Sequence, residues 1–133
     1  MRGRECAFIF FIGGALYGLM EVVFRGYTHW TMVLTGGACL LCFYLVDGKY
    51  PNMGMLGKCI CSCGIITGFE FVVGCIVNLW LGLGVWSYSM HALNLLGQVC
   101  PMFSAFWFLI GIPATYVCRF LRGKLSAAEE QSA

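Results

Sequence analysis

Gly18-Leu19-Met20-Glu21-Val22-Val23-Phe24-Arg25-Gly26-Tyr27-Thr28-His29-Trp30 is the stretch that decides the fold. It places a carboxylate, a guanidinium and an imidazole at the end of an apolar run that starts at Cys6. A charged side chain inside a bilayer costs roughly 2.5–3.5 kcal/mol on insertion scales. A chain that keeps Glu21 and Arg25 there sets them against each other, a ligand or a proton. A second carboxylate, Glu70, has a matching context in Thr67-Gly68-Phe69-Glu70-Phe71-Val72-Val73-Gly74. The molecule therefore reads as two halves built around Glu21 and Glu70.

Composition sets the environment. Of 133 residues, 60% are hydrophobic and only 11% charged, where a soluble domain carries about 25% charged residues. The mean hydropathy is +0.83. This is a membrane protein forming a single unit. A formal net charge of +2, with no basic stripe interleaved with aromatics, excludes a nucleic-acid partner.

The apolar runs predict an all-α, polytopic bundle of four transmembrane helices over residues 6–25, 30–46, 59–83 and 93–118. They form one domain over residues 1–125, and residues 126–133 read as a frayed polar tail. Glu21 and Arg25 follow the first run where a signal peptide would carry a small-residue cleavage site, so the first helix is expected to stay uncleaved. Asp47-Gly48-Lys49-Tyr50-Pro51-Asn52 reads as a polar turn. Four spans put both termini and the 47–58 loop on one side, with Arg2, Arg4, Lys49, Lys58, Arg119, Arg122 and Lys124. That bias predicts cytoplasmic termini. Arg25 is the one Lys or Arg on the other side. Trp30, Trp80, Trp86 and Tyr88 gather there as an interfacial aromatic belt would.

Aligning Glu21 with Glu70 superposes Gly18-x-x-Glu21 on Thr67-x-x-Glu70. Farther on, Gly36-Gly37-x-Cys39 echoes Gly97-Gln98-x-Cys100. Each half is then a helix with a polar centre, an outer loop with Trp, and a helix opening on small residues, as in transporters with parallel repeats. Gly14, Gly18, Glu21 and Arg25 share one face of the first helix, and Thr67, Glu70, Gly74 and Asn78 one face of the third. Both faces should turn inward. Glu21 and Arg25 have the spacing of an i,i+4 ion pair. Glu70 has no cation on its own helix, so it is protonated, paired across helices, or a cation site.

Nine cysteines lie mostly in apolar runs and read as small buried hydrophobes. Cys59-Ile60-Cys61-Ser62-Cys63 looks like a metal motif, but a helix turns Cys61 away from the face of Cys59 and Cys63. No metal or other cofactor is expected.

The motifs Tyr17-Gly18-x-x-Glu21, Arg25-Gly26-x-Thr28-His29-Trp30, Glu70-Phe71-x-x-Gly74-x-x-x-Asn78 and Val85-Trp86-Ser87-Tyr88-Ser89, completed by Gly97-Gln98 and Cys100, carry a resemblance. Over about residues 12 to 108 the chain resembles the small integral membrane proteins of the Putative ABC-transporter type IV (CmpB-like) family, which has animal transmembrane relatives. The family usually has Asp where this chain has Ser87, so one outer-loop carboxylate is missing. The resemblance implies transport. The chain has no G-x-x-x-x-G-K-[ST] phosphate loop, so an ATPase would be a separate chain.

Three functions compete. The first is a small transporter, channel or permease subunit, with Glu21, Arg25 and Glu70 lining a site between the halves. His29, Trp30, Asn78, Trp86, Tyr88, Asn94 and Gln98 would lie towards its outer mouth. Two carboxylates against one guanidinium suit a cation, a proton or a zwitterionic solute. The second is a membrane-embedded enzyme acting on a lipid-like substrate. There His29 and Glu21 serve as general acid and base, Arg25 holds a headgroup, and a lateral opening lies beside His29. The third is an accessory subunit whose polar network is structural. No nucleophile is paired with a base, so no catalytic residue is assigned. Four short helices barely enclose a pathway, so a homodimer or larger homo-oligomer in membrane lipid is expected, in a bacterial inner membrane.

Overall fold

A computed structural model describes residues 3–26, 29–84, 86, 90, 93 and 95–132, without the side chains of Phe24, Arg25, residues 128–130 and Ser132. Among the described residues four α-helices follow one another: α1 (Gly3–Arg25), α2 (Trp30–Lys49), α3 (Met55–Gly74) and α4 (Pro101–Ser132). A π-helical segment, Cys75–Trp80, continues α3. All four are long and apolar enough to cross a membrane. The described residues form no strand beyond an isolated bridge between Leu95 and Val99. The chain is an all-helical, multi-pass membrane protein.

α1 packs on α2 and α3 on α4, while α2 joins the two hairpins through α3 and, more sparsely, α4. The starts of α1 and α3 meet the ends of α2 and α4, because Glu5, Lys58 and Arg122 all contact the stretch from Tyr44 to Asp47. That is the terminal end of the bundle; at the distal end Trp86 and Gln98, from between α3 and α4, pack on Gly74 of α3. Tyr17, Met32, Val77, Trp86 and Trp107 form a distal core. Ile9, Phe43, Tyr44, Cys118 and Leu121 form a terminal one.

The α1–α2 hairpin depends on small residues. A Cβ on Gly36 would collide with the Cβ of Tyr17 and reach within 3.2 Å of the Gly13 carbonyl oxygen. Helix association inside a membrane rests on such close packing, since lipid tails are as apolar as leucine. Gly36→Val should therefore push α1 from α2 and destabilise the protein by about 1–3 kcal/mol. Unfolding in mixed micelles against a lipid-facing control, Leu34→Val, measures the loss.

Several boundaries differ from the sequence expectation. α1 begins at Gly3 rather than residue 6. α2 runs one turn past residue 46, to Lys49, because Asp47 and its partners belong to the core instead of to a turn. The third span closes at Trp80 rather than residue 83, and Gly82 follows with φ +69. The largest difference is in α4. None of the described residues of 93–100 is helical: Leu93, Leu96 and Gly97 have φ values of 57, 54 and 74, which no right-handed helix accepts. Pro101 then starts the helix, where its missing N–H costs nothing. At its other end α4 continues to Ser132, through the stretch expected to fray. Its 32 residues give about 48 Å at 1.5 Å per residue, beyond the roughly 30 Å of bilayer hydrocarbon. Gly36-Gly37 thus lies inside α2 while Gly97-Gln98 precedes α4, so that pair of motifs does not occupy equivalent places. The two-hairpin pairing is what the halves share.

Candidate functional site

Glu70 lies near the end of α3, within the span Met55–Trp80, and is only 2% exposed. Helical spacing puts Thr67, Gly74 and Asn78 on its face, and each meets the loop or α4. The Thr67 and Ser104 hydroxyls lie 2.9 Å apart, linking α3 to α4 one turn before Glu70. One turn after it, a Cβ on Gly74 would come within 3.0 Å of Trp86 Cζ2 and clash with Gln98 Oε1. Glycine is required there because the distal loop presses against the helix.

Asn78, within the π-helical segment, organises that loop. Its Nδ2 donates to Gln98 Oε1 at 2.8 Å, and its Oδ1 accepts the Trp86 backbone N–H at 3.3 Å. Trp86 Nε1 donates to the Gln98 carbonyl at 3.1 Å, and Gln98 Nε2 donates to the Leu96 carbonyl at 2.9 Å. The last bond fixes Leu96 in its left-handed conformation. π-Helical turns concentrate at functional sites, and here one sits beside a buried carboxylate under a pinned loop. Trp86 is buried at 7% exposure in the distal core, so it is not part of an interfacial belt. Trp30 and Trp80 are exposed, as belt residues are.

On α1, Glu21 is half-buried one turn after Tyr17. Tyr17 shares the distal core with Ile66 and Val73, which bracket Glu70 on α3. Both carboxylates therefore border the same cluster. The Arg25 side chain, and Tyr88 and Asn94 entirely, lie outside the described residues.

His29 is the N-cap of α2. Its Nδ1 accepts the Thr31 N–H at 3.3 Å and lies 2.7 Å from Thr31 Oγ1. Its ring stacks obliquely on Trp30, centroids 5.6 Å apart. Losing a cap costs about 1 kcal/mol. His29→Ala should destabilise by that amount and His29→Asn should recover most of it, measured by thermal unfolding in detergent. A cleft of about 310 Å³ is lined on α1 from Gly13 to Met20, and His29 is not among its lining residues.

A second polar cluster, not singled out from the sequence, ties all four helices at the terminal end. Lys58, fully buried at the start of α3, pairs with Asp47 of α2. Arg122 of α4 lies 3.6 Å from the other Asp47 oxygen, donates to the Tyr44 carbonyl at 2.7 Å, and stacks 4.0 Å over the Tyr44 ring. Tyr44 donates to Glu5 Oε1 of α1 at 2.5 Å. The signal was present: Asp47 is a carboxylate closing an apolar run, as Glu21 is. Lys58 and Arg122 read from sequence alone as topology-setting cations of the cytoplasmic side.

The profile of the family described as Putative ABC-transporter type IV matches residues 8–131 of the chain. No curated protein and no solved structure matches it.

Proposed function

The chain belongs to the Putative ABC-transporter type IV family, and from that premise we propose that it is a small transport subunit whose solute site is built around Glu70. A carboxylate 2% exposed inside an apolar span is the observation that carries this proposal, because such a group is expensive in a bilayer and is used where it occurs. Glu21 and Arg25 complete the site on α1, with Asn78 and Gln98 at its distal edge. The negative balance of two carboxylates and one guanidinium suits a cation, a proton or a zwitterion. ATP-driven transport would need a separate ATPase chain, since this sequence holds no phosphate loop; the flux expected of the chain alone is downhill. A homodimer or larger assembly supplies the rest of a pathway. The exposed cations at the terminal end, Arg4, Lys49, Arg119 and Lys124, support termini on the cytoplasmic side of a bacterial inner membrane.

The test is flux in proteoliposomes, with a pH dye, a rubidium tracer and labelled betaine as the three probes. Wild-type protein should move at least one of them above protein-free liposomes. Glu70→Gln, which keeps the shape and removes the charge, should cut that flux at least tenfold while the protein still elutes as a folded species. Equal flux from the variant, or none from wild type with any probe, overturns the assignment.

A further inference from the structure

The two hairpins do not close against each other along their whole length. Between the distal and terminal cores, small residues face one another: Gly13 on α1, Gly36 on α2, Ser62 on α3 and Ala114 on α4. They leave the cleft of about 310 Å³ noted above, at the middle of the bundle. Its wall is almost wholly apolar. Its rim includes Leu16, which is half exposed, so the cleft opens sideways into the hydrocarbon. The Tyr17 and Trp107 rings, centroids 6.1 Å apart, bridge α1 and α4 towards its distal end. On α2 and α3 its terminal wall stops one turn short of the Asp47–Lys58 pair, at Phe43 and Ser62.

We propose that this cleft is a lipid site, seating one acyl chain of an anionic phospholipid whose headgroup rests on the cationic terminal end of the bundle. The apolar lining at membrane depth selects hydrocarbon over water, which fills only cavities with polar partners. Charge selects the headgroup. Lys124 follows Pro113 and Val117 on one face of α4 by i, i+4 and i+11 spacing, so the cleft face of that helix runs down to an exposed ammonium group. Arg4 and Arg119 add exposed cations at the same end. Basic residues between transmembrane helices, at a membrane surface, are the recognised setting for anionic headgroups. Glu70 is not among the residues lining the cleft, and the proposal does not depend on that carboxylate's role.

The test uses the full chain in nanodiscs of equal phosphatidylglycerol and phosphatidylcholine, re-extracted into mild detergent and weighed by native mass spectrometry. Wild type should retain one phosphatidylglycerol per chain, at least tenfold over phosphatidylcholine. Leu16→Trp, which fills the cleft from its exposed rim, should lower retained lipid at least tenfold. Lys124→Glu should keep a bound chain and lose the preference for phosphatidylglycerol. No retained lipid in wild type, equal retention of the two lipids, or unchanged retention in Leu16→Trp overturns the proposal. Should Leu16→Trp fail to fold, the wild-type comparison of the two lipids decides alone.

Discussion

Asp47→Leu is expected to be the most damaging single substitution in the terminal half, costing about 3–5 kcal/mol, the range for removing one partner of a buried ion pair. Asp47 is 4% exposed and holds Lys58 on one oxygen and Arg122 near the other. Leucine keeps the volume and leaves the Lys58 ammonium fully buried without its carboxylate. Lys58→Met should cost less, because Asp47 keeps Arg122 at 3.6 Å. The pair Asp47→Leu with Lys58→Met should be milder than the sum of the singles, since well-packed apolar residues often replace a buried ion pair at little cost. The expected coupling lies within the range of roughly 0.5–3 kcal/mol seen for contacting residues. Denaturant titration in mixed micelles measures the three variants. Additive losses would show that the two side chains act independently.

What could be read from the sequence follows from how its signals are carried. Four spans are legible because hydropathy over about 20 residues is a bulk property that no single contact changes. The inward faces of α1 and α3 are legible because Glu21 and Glu70 are costly in lipid wherever the helices pack. Boundaries are another matter. Asp47 reads as a turn residue by composition, and only its meeting with Lys58 makes it the buried last turn of α2. Residues 93–100 are apolar enough to pass for helix, yet Gln98 pairs with Asn78 and pins residues 95–100 outside α4, a long-range pairing with no local signature. His29 falls between these cases: its place before Trp30 fits an N-cap as well as a proton relay, and only the Nδ1 contact with Thr31 assigns the cap. The terminal cluster was hidden for the same reason, because Glu5, Tyr44 and Arg122 come from three separate helices.

Asn78→Leu is expected to release the distal loop. Two polar groups lose their partner at once: Gln98 Oε1, which accepts from Asn78 Nδ2 at 2.8 Å, and the Trp86 N–H, which donates to Asn78 Oδ1 at 3.3 Å. Each buried group left without a partner costs about 1–3 kcal/mol, and membrane surroundings supply no water to soften the loss. Gln98 is 2% exposed, so its amide has no solvent to turn to while the loop stays in place. The cheaper response is for the loop to lift, carrying Trp86 off Gly74 and relaxing the left-handed Leu96. Cys100, buried at the foot of the loop, reports this directly. In Asn78→Leu a water-soluble maleimide should label Cys100 at least tenfold faster than in wild type, with the labelled peptide identified by mass spectrometry. Cys59, buried beside Lys58 at the opposite end, should stay protected in both. Gly74→Leu should raise Cys100 labelling by a different route, since its side chain would occupy the space of Gln98 and Trp86. If the loop covers Glu70, both variants should also make flux depend less on the loop and more on the carboxylate, so that Glu70→Gln remains inactive in either background. Fast labelling of Cys100 in wild type would show instead that the loop is already open, and that Asn78 only tunes an equilibrium.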